Sequence, residues 1–232
     1  MPLLPLLRNK GTCFLDDSNV LMMCRISVAV YVWLLLCTAV ILLLQMPLVA
    51  HCACECAWRK PLMLRFYDAV GGSTSNLGWD LDHPDAPCGW DGLSCMNGDI
   101  NALFLKDKSL RGTLPSFLSE LGNLTDLDLR KNSLEGTLPT NVSSWANTLK
   151  FLALGETLIT GTLPESWTSL KAIDTIVLSL MPGVSGTLPS SYSIWGSKLT
   201  GFLAERCSLT GPIPVSWAAW TNVEQFAVGG NV

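Results

Sequence analysis

The sequence predicts a solenoid of stacked α/β-type units. Short parallel strands line a concave face, irregular or 3-10 segments form the convex one, and a cap precedes the first unit. Three observations predict it. The phrase Gly-Thr-Leu-Pro stands at 112–115, 136–139, 161–164 and 186–189, and Gly-Pro-Ile-Pro at 211–214 is its fifth copy, so the period is 24 and then 25 residues. Upstream of each copy runs a version of L-x-x-L-x-L-x-x-N-x-L. Nine tryptophans stand against three tyrosines, and five of the nine fall at fixed offsets from the repeat proline. A unit this short cannot bury its own apolar face, so neighbours must stack.

The chain divides in order. Residues 1–25 form an N-terminal region that carries Arg8, Lys10 and Arg25. Ile26 to Leu44 contains no charge, and as a helix those nineteen residues would span about 28 Å, close to a bilayer core. Residues 26–50 are therefore read as a signal peptide or signal-anchor helix, which sends the rest into the secretory pathway. Residues 51–60 are a Cys-rich linker, where Cys52, Cys54 and Cys56 alternate and their pairing stays open. Residues 61–98 are the cap of the repeats, with Leu62, Leu64, Phe66 and Val70 spaced for a short helix. Cys88 and Cys95 lie close in sequence and in an oxidising compartment, so a disulfide is expected between them. Residues 99–232 hold five complete repeats and a truncated sixth. The last residue, Val232, follows the Asn slot of that sixth unit, so the expectation is a fragment with Trp217, Trp220 and Phe226 partly uncovered.

Within a unit each slot has a physical task. L-x-L points two apolar side chains to one face of a short strand. The Asn slot satisfies backbone groups where the chain leaves the strand, and only Asn132 and Asn231 keep it. Lys108, Thr157 and Cys207 replace it elsewhere, and Cys207 is expected as a buried free thiol. The fourth unit has one extra residue before Val184. Positions three and six after the repeat proline form an i, i+3 pair on the convex side, such as Trp167/Leu170 and Tyr192/Trp195. Both positions are expected to pack into the core.

These motifs identify the repeats as leucine-rich. Residues 61–98, with their Pro-Cys-x-Trp-x-Gly-Leu-x-Cys segment, together with L-x-x-L-x-L-x-x-N-x-L-x-G-x-x-P, resemble the plant-type leucine-rich-repeat family. Leu-Pro in place of Ile-Pro, Trp167, Trp217 and Thr157 resemble the trypanosomatid surface antigens and proteophosphoglycan-like proteins within it. The resemblance implies a leucine-rich-repeat solenoid in a glycosylated, secreted or cell-surface protein that binds other molecules in adhesion or host interaction.

Composition narrows the function classes. A formal net charge of −4 with 15% charged residues excludes the basic footprint of a nucleic-acid binder. Only His51 and His83 are present, and the acids near His83 (Asp80, Asp82 and Asp85) lack the glycine-containing spacing of a calcium loop. No catalytic constellation, cofactor motif or metal site is assigned, so no enzymatic activity is expected. The variable strand positions instead place Phe104, Asp128, Arg130, Phe151, Val177, Leu203 and Glu205 on the concave face, as a strip for protein or glycan partners. The membrane is expected as a partner only through 26–44, if that segment stays uncleaved. Asn123 and Asn141 begin glycosylation triplets. Two alternatives stand beside surface recognition: a structural or decoy coat glycoprotein, and an ectodomain fragment of a plant-type receptor-like protein.

Overall fold

The structure is a computed structural model, and it describes residues 13–14, 23–24, 56–83 and 86–232. The chain separates into two compact units, 1–53 and 54–232. In the first, β1 (Cys13–Phe14) and β2 (Met23–Cys24) form an antiparallel pair. The apolar run at 26–44 lies outside the described residues. Among the described residues no helix is long and apolar enough to cross a membrane.

The second unit begins with the cap. Helix α1 (Lys60–Ala69) has Pro61 in its first turn, where the missing N–H costs nothing. It buries Leu62, Met63 and Phe66 on one face. Val70 donates to the Phe66 carbonyl and Gly71 leaves the helix at φ +112°. Two indoles close the cap. Trp79 and Trp90 stack at 4.6 Å, and their ring N–H groups donate to the Asp91 and Asp80 carbonyls. A hairpin of β3 (Leu93–Met96) and β4 (Asp99–Phe104) then opens the solenoid.

The repeats alternate between two sets of strands. The first set is β6 (Asp126–Asp128), β8 (Phe151–Ala153), β10 (Thr175–Val177), β12 (Gly201–Leu203) and β14 (Gln225–Ala227). With the hairpin they form a seven-stranded sheet in the order β14-β12-β10-β8-β6-β4-β3, parallel throughout except for β3. The second set lies just before each repeat proline. It comprises β5 (Arg111–Thr113), β7 (Ser133–Glu135), β9 (Gly161–Thr162), β11 (Val184–Thr187) and β13 (Ser208–Thr210). These give a two-stranded and a three-stranded parallel sheet. Threonine and glycine explain the second set. The γ-methyl of each Thr lies over the left-handed glycine of the next unit. A Cβ on Gly186, at φ +85°, would come within 2.9 Å of the Thr162 methyl.

The core is continuous because each slot repeats. Leu103, Leu127, Leu152, Ile176 and Phe202 are all fully buried, one per unit. Every expected convex pair is buried too, including Trp217 and Trp220 at 5% and 8% exposure. Those two were expected to be partly uncovered. They are covered because they stack on each other at 4.0 Å and against Phe202. Phe226 does remain open at 43%.

The convex aromatics also bond backward. Trp167, Tyr192 and Trp217 donate to the repeat-proline carbonyls of the preceding unit, Pro139, Pro164 and Pro189, at 2.7–2.9 Å. Trp145 and Trp220 donate to the Leu121 and Tyr192 carbonyls. Aromatics with a polar tip are used here because each buries a large apolar body and satisfies a buried carbonyl.

Tyr192 yields a pH prediction. Burial pushes its phenol well above its ordinary value, and the nearby Glu165 carboxylate adds to the shift. The folded state therefore holds this proton more tightly than the unfolded chain. The stabilisation is complete below pH about 10 and is lost as the pH rises beyond it, by up to about 1.4 kcal/mol per unit. Urea midpoints should be flat from pH 8 to about 10 and fall above that. Tyr192→Phe should flatten its share of the decline.

The Asn slot works as the spacing suggests. Asn132 Oδ1 accepts from the Lys108 and Leu110 amides, and its Nδ2 donates to the Leu105, Leu129 and Arg130 carbonyls. Asn231 repeats the arrangement with Cys207, Leu209, Ala204 and Val228. Thr157 makes a single bond of this kind, to Leu154. Met181 fills the slot in the fourth unit, fully buried, and the extra residue forms a turn closed by Val184 N–H to the Met181 carbonyl. Cys207 is a buried free thiol, and burial pushes its pKa up.

The expected Cys88–Cys95 disulfide is not formed. Cys95 is bonded to Cys56, with Cα atoms 6.3 Å apart. The reason is the docking of the cap. Arg59 grips Asp99 through two hydrogen bonds of 2.6 and 2.8 Å, and Trp58 donates to the Gly98 carbonyl. These contacts seat the start of the cap on the β3–β4 hairpin and bring the buried Cys56 to Cys95. Cys88 lies near, its sulfur 3.4 Å from that of Cys95, and is itself disulfide-bonded. The three sulfurs cluster within 4.8 Å, but disulfide bonding removes the thiolates a metal would need.

Candidate functional site

The concave face is built by register. Phe104, Asp128, Ala153, Val177, Leu203 and Ala227 are direct neighbours on six successive parallel strands. Phe151 lies one column back, between Asp126 and Thr175. Of the residues expected on this face, Phe104, Asp128, Val177 and Leu203 therefore share one column and Phe151 falls in the next.

Its members differ in access. Phe104 is 50% exposed, while Phe151, Val177 and Leu203 are half-buried and Glu205 is exposed. Asp128 departs from the expectation of an open ligand position. It is buried, and Arg130 chelates it, with Nε on one carboxylate oxygen at 2.9 Å and an Nη on the other at 2.6 Å. A planar guanidinium two residues along the same strand face fits a carboxylate in this bidentate way. The hydrogen bond to Asp128 holds the Arg130 pKa above its ordinary value. The same guanidinium carbon lies 5.8 Å from the Phe151 ring centre. Asp128 is thus a positioning group, and Arg130 is what the surface presents.

One contributor was not foreseen. Leu180 is 42% exposed and sits at φ +64°. Its slot precedes the Asn slot, and the other units place Asp107, Lys131, Glu156 and Arg206 there, all at positive φ. A charge at each of these positions was visible in the sequence, and a leucine interrupting the series was the available signal.

The glycosylation triplets lie elsewhere. Asn141 is exposed on the convex side and bonds Ser119. Asn123 is exposed as well, but its amide donates to the buried Asp99 carboxylate that Arg59 also holds. In the cap loop the Asp82 amide donates to Asp80, and Asp85 lies outside the described residues.

The leucine-rich-repeat family profile matches residues 123–145, which span the whole of the second unit's L-x-x-L-x-L-x-x-N-x-L and its convex segment to Trp145. Residues 123–145 are a leucine-rich repeat, and the other units share its slots. Over 87 residues the chain is 40% identical to a probable inactive receptor kinase, RLK902, of Arabidopsis thaliana, covering 38% of this chain and 12% of that protein. The leucine-rich-repeat ectodomain of the Arabidopsis thaliana receptor kinase GASSHO1/SCHENGEN3, solved with Casparian strip integrity factor 2, superposes with a TM-score of 0.67. The identity is 25%, over 75% of this chain and 21% of that one. A plant ice-binding protein superposes equally well, at 0.67, with 27% identity over 74% of this chain and 55% of its own. The chain thus spans about an eighth of the receptor kinase it matches. These relatives of the leucine-rich repeats are plant proteins, and none of the three is a trypanosomatid surface antigen.

Proposed function

We propose that residues 56–232 form a non-catalytic recognition module, displayed at the cell surface or secreted, that binds a protein partner on its concave face. The observation that carries this reading is the register that aligns Phe104, Val177 and Leu203 on neighbouring strands, with Phe151 beside them. Apolar side chains held on a rigid sheet lose little entropy on binding, and aromatic ones commonly anchor interfaces. The receptor ectodomain similar to this chain was solved with a bound factor, which supports a protein ligand over a glycan.

A receptor-like ectodomain fits these relatives as well as a free-standing surface protein does. The finer resemblance to trypanosomatid surface antigens belongs to the same proposal, with adhesion or host interaction as its setting. The test is a binding screen of the purified chain against a panel of secreted and surface proteins. A specific partner is expected, and the Phe104→Ala/Phe151→Ala double variant should weaken it at least about tenfold, or about 1.4 kcal/mol. Unchanged affinity in that variant would remove the strip from the function. No partner at all would favour a structural coat protein.

A further inference from the structure

The two halves of the concave face differ in a way the fold does not require. In the first half three ion pairs form: Arg130 with Asp128, Lys108 with Asp91, and Lys131 with Glu156 at 3.9 Å. In the second half Val177 and Leu203 are the half-buried side chains of the sheet surface, with Ser179 beyond Val177 and the buried Ala153 and Gly201 around them. Asp174, Glu205 and Glu224 border it without an ion pair among the described residues, Lys150 stands beside Asp174 in the register, and Arg206 follows Glu205 at β12's exit. Of these carboxylates Glu205 is nearest the apolar patch: its carbonyl accepts from the Leu180 amide, and it follows Leu203 by two residues.

Leu180 stands on the rim of this half. A left-handed leucine is strained, and leaving it 42% exposed forgoes much of what packing could recover. The fold asks only for a backbone bond here, Leu180 N–H to the Glu205 carbonyl. The sixth unit meets the same geometry with Gly230, at φ +70°. A glycine at 180 would satisfy the fold with less strain.

We infer that Val177, Leu180 and Leu203 form the anchor patch for one aliphatic or aromatic side chain of a partner polypeptide, and that a neighbouring Lys or Arg of that partner pairs with Glu205. The inference rests on the concave-face reading proposed above and names the partner's chemistry. The exposed Glu205 carboxylate beside Leu180 selects the basic neighbour through charge complementarity, and the apolar patch supplies the affinity.

A phage-displayed random dodecapeptide library, selected on the immobilised full chain, tests it. Peptides carrying a bulky apolar residue next to Lys or Arg should be enriched. Leu180→Gly should melt no lower than the parent yet bind the best such peptide at least about tenfold more weakly. Glu205→Arg should abolish the preference for the basic residue. Enriched peptides without a basic neighbour, or binding that depends on Phe104 and Phe151 but is indifferent to Leu180→Gly and Glu205→Arg, would overturn this inference and leave the concave-face reading standing. An absence of any enrichment, or binding that no concave-face substitution alters, would overturn that reading as well.

Discussion

Trp167→Ala should lower the unfolding free energy by about 4 kcal/mol, the largest effect expected of any single convex residue. Trp167 is fully buried, stacks on Tyr192 at 6.5 Å and donates to the Pro139 carbonyl at 2.7 Å. Truncation removes the apolar body and leaves a cavity between the second, third and fourth units. It also leaves a buried carbonyl without its donor, which by itself costs about 1 kcal/mol. Trp167→Phe keeps most of the volume and loses only the donor, so it should cost less than half as much. Urea unfolding followed by far-ultraviolet circular dichroism measures both. Contacts in a solenoid run only between neighbours, so a defect in the third unit weakens the coupling of the units on either side. The unfolding slope should therefore fall in Trp167→Ala. An unchanged midpoint would mean that the neighbouring units close over the gap, contrary to the packing described.

Asn132→Ala is expected to cost about 3 kcal/mol, although it removes only a small polar group. The side chain joins two units through five hydrogen bonds, and alanine leaves two amides and three carbonyls of the turn without this partner. Because Asn132 is buried, at 6% exposure, water cannot replace those bonds without opening the turn. Native-state hydrogen exchange supplies the specific readout. The Lys108 and Leu110 amides should exchange faster in the variant, while those of the fourth and fifth units, such as Leu178 and Ala204, keep their protection. Asn132→Thr should recover part of the loss, because Thr157 fills the same slot with its single bond to Leu154. Equal loss in the alanine and threonine variants would show that the slot is merely a volume to be filled.

Most of the architecture was legible because a repeated slot reports on itself. One Leu is ambiguous, but Leu124, Leu149, Ile173 and Leu199 at matching positions are not, and all four are buried. The convex pairs followed by the same logic. The candidate strip was legible for a similar reason, since an L-x-L strand fixes which side chains face outward, and stacking aligns Phe104 with Val177 and Leu203. Asp128 shows where that logic stops. The pattern places it on the concave face, but whether it is free or clamped depends on the rotamer of Arg130. The second sheet was also hidden, because a two- or three-residue strand has no period to detect.

The sequence by itself determined the unit length, the inward and outward faces, the two surviving Asn ladders and the buried thiol at Cys207. Each is set by local pattern repeated at a constant interval, so identity at a slot implies environment at that slot. The tertiary structure alone decided three other things. It paired Cys56 with Cys95, because docking of the cap on the hairpin brings together thiols that are distant in the chain. It buried Asp128 on the concave face by giving it a guanidinium partner. It left Leu180 strained and open on the rim, where every other complete unit carries a charge. These outcomes depend on contacts between different parts of the chain, and a pattern that is periodic along the chain does not encode them.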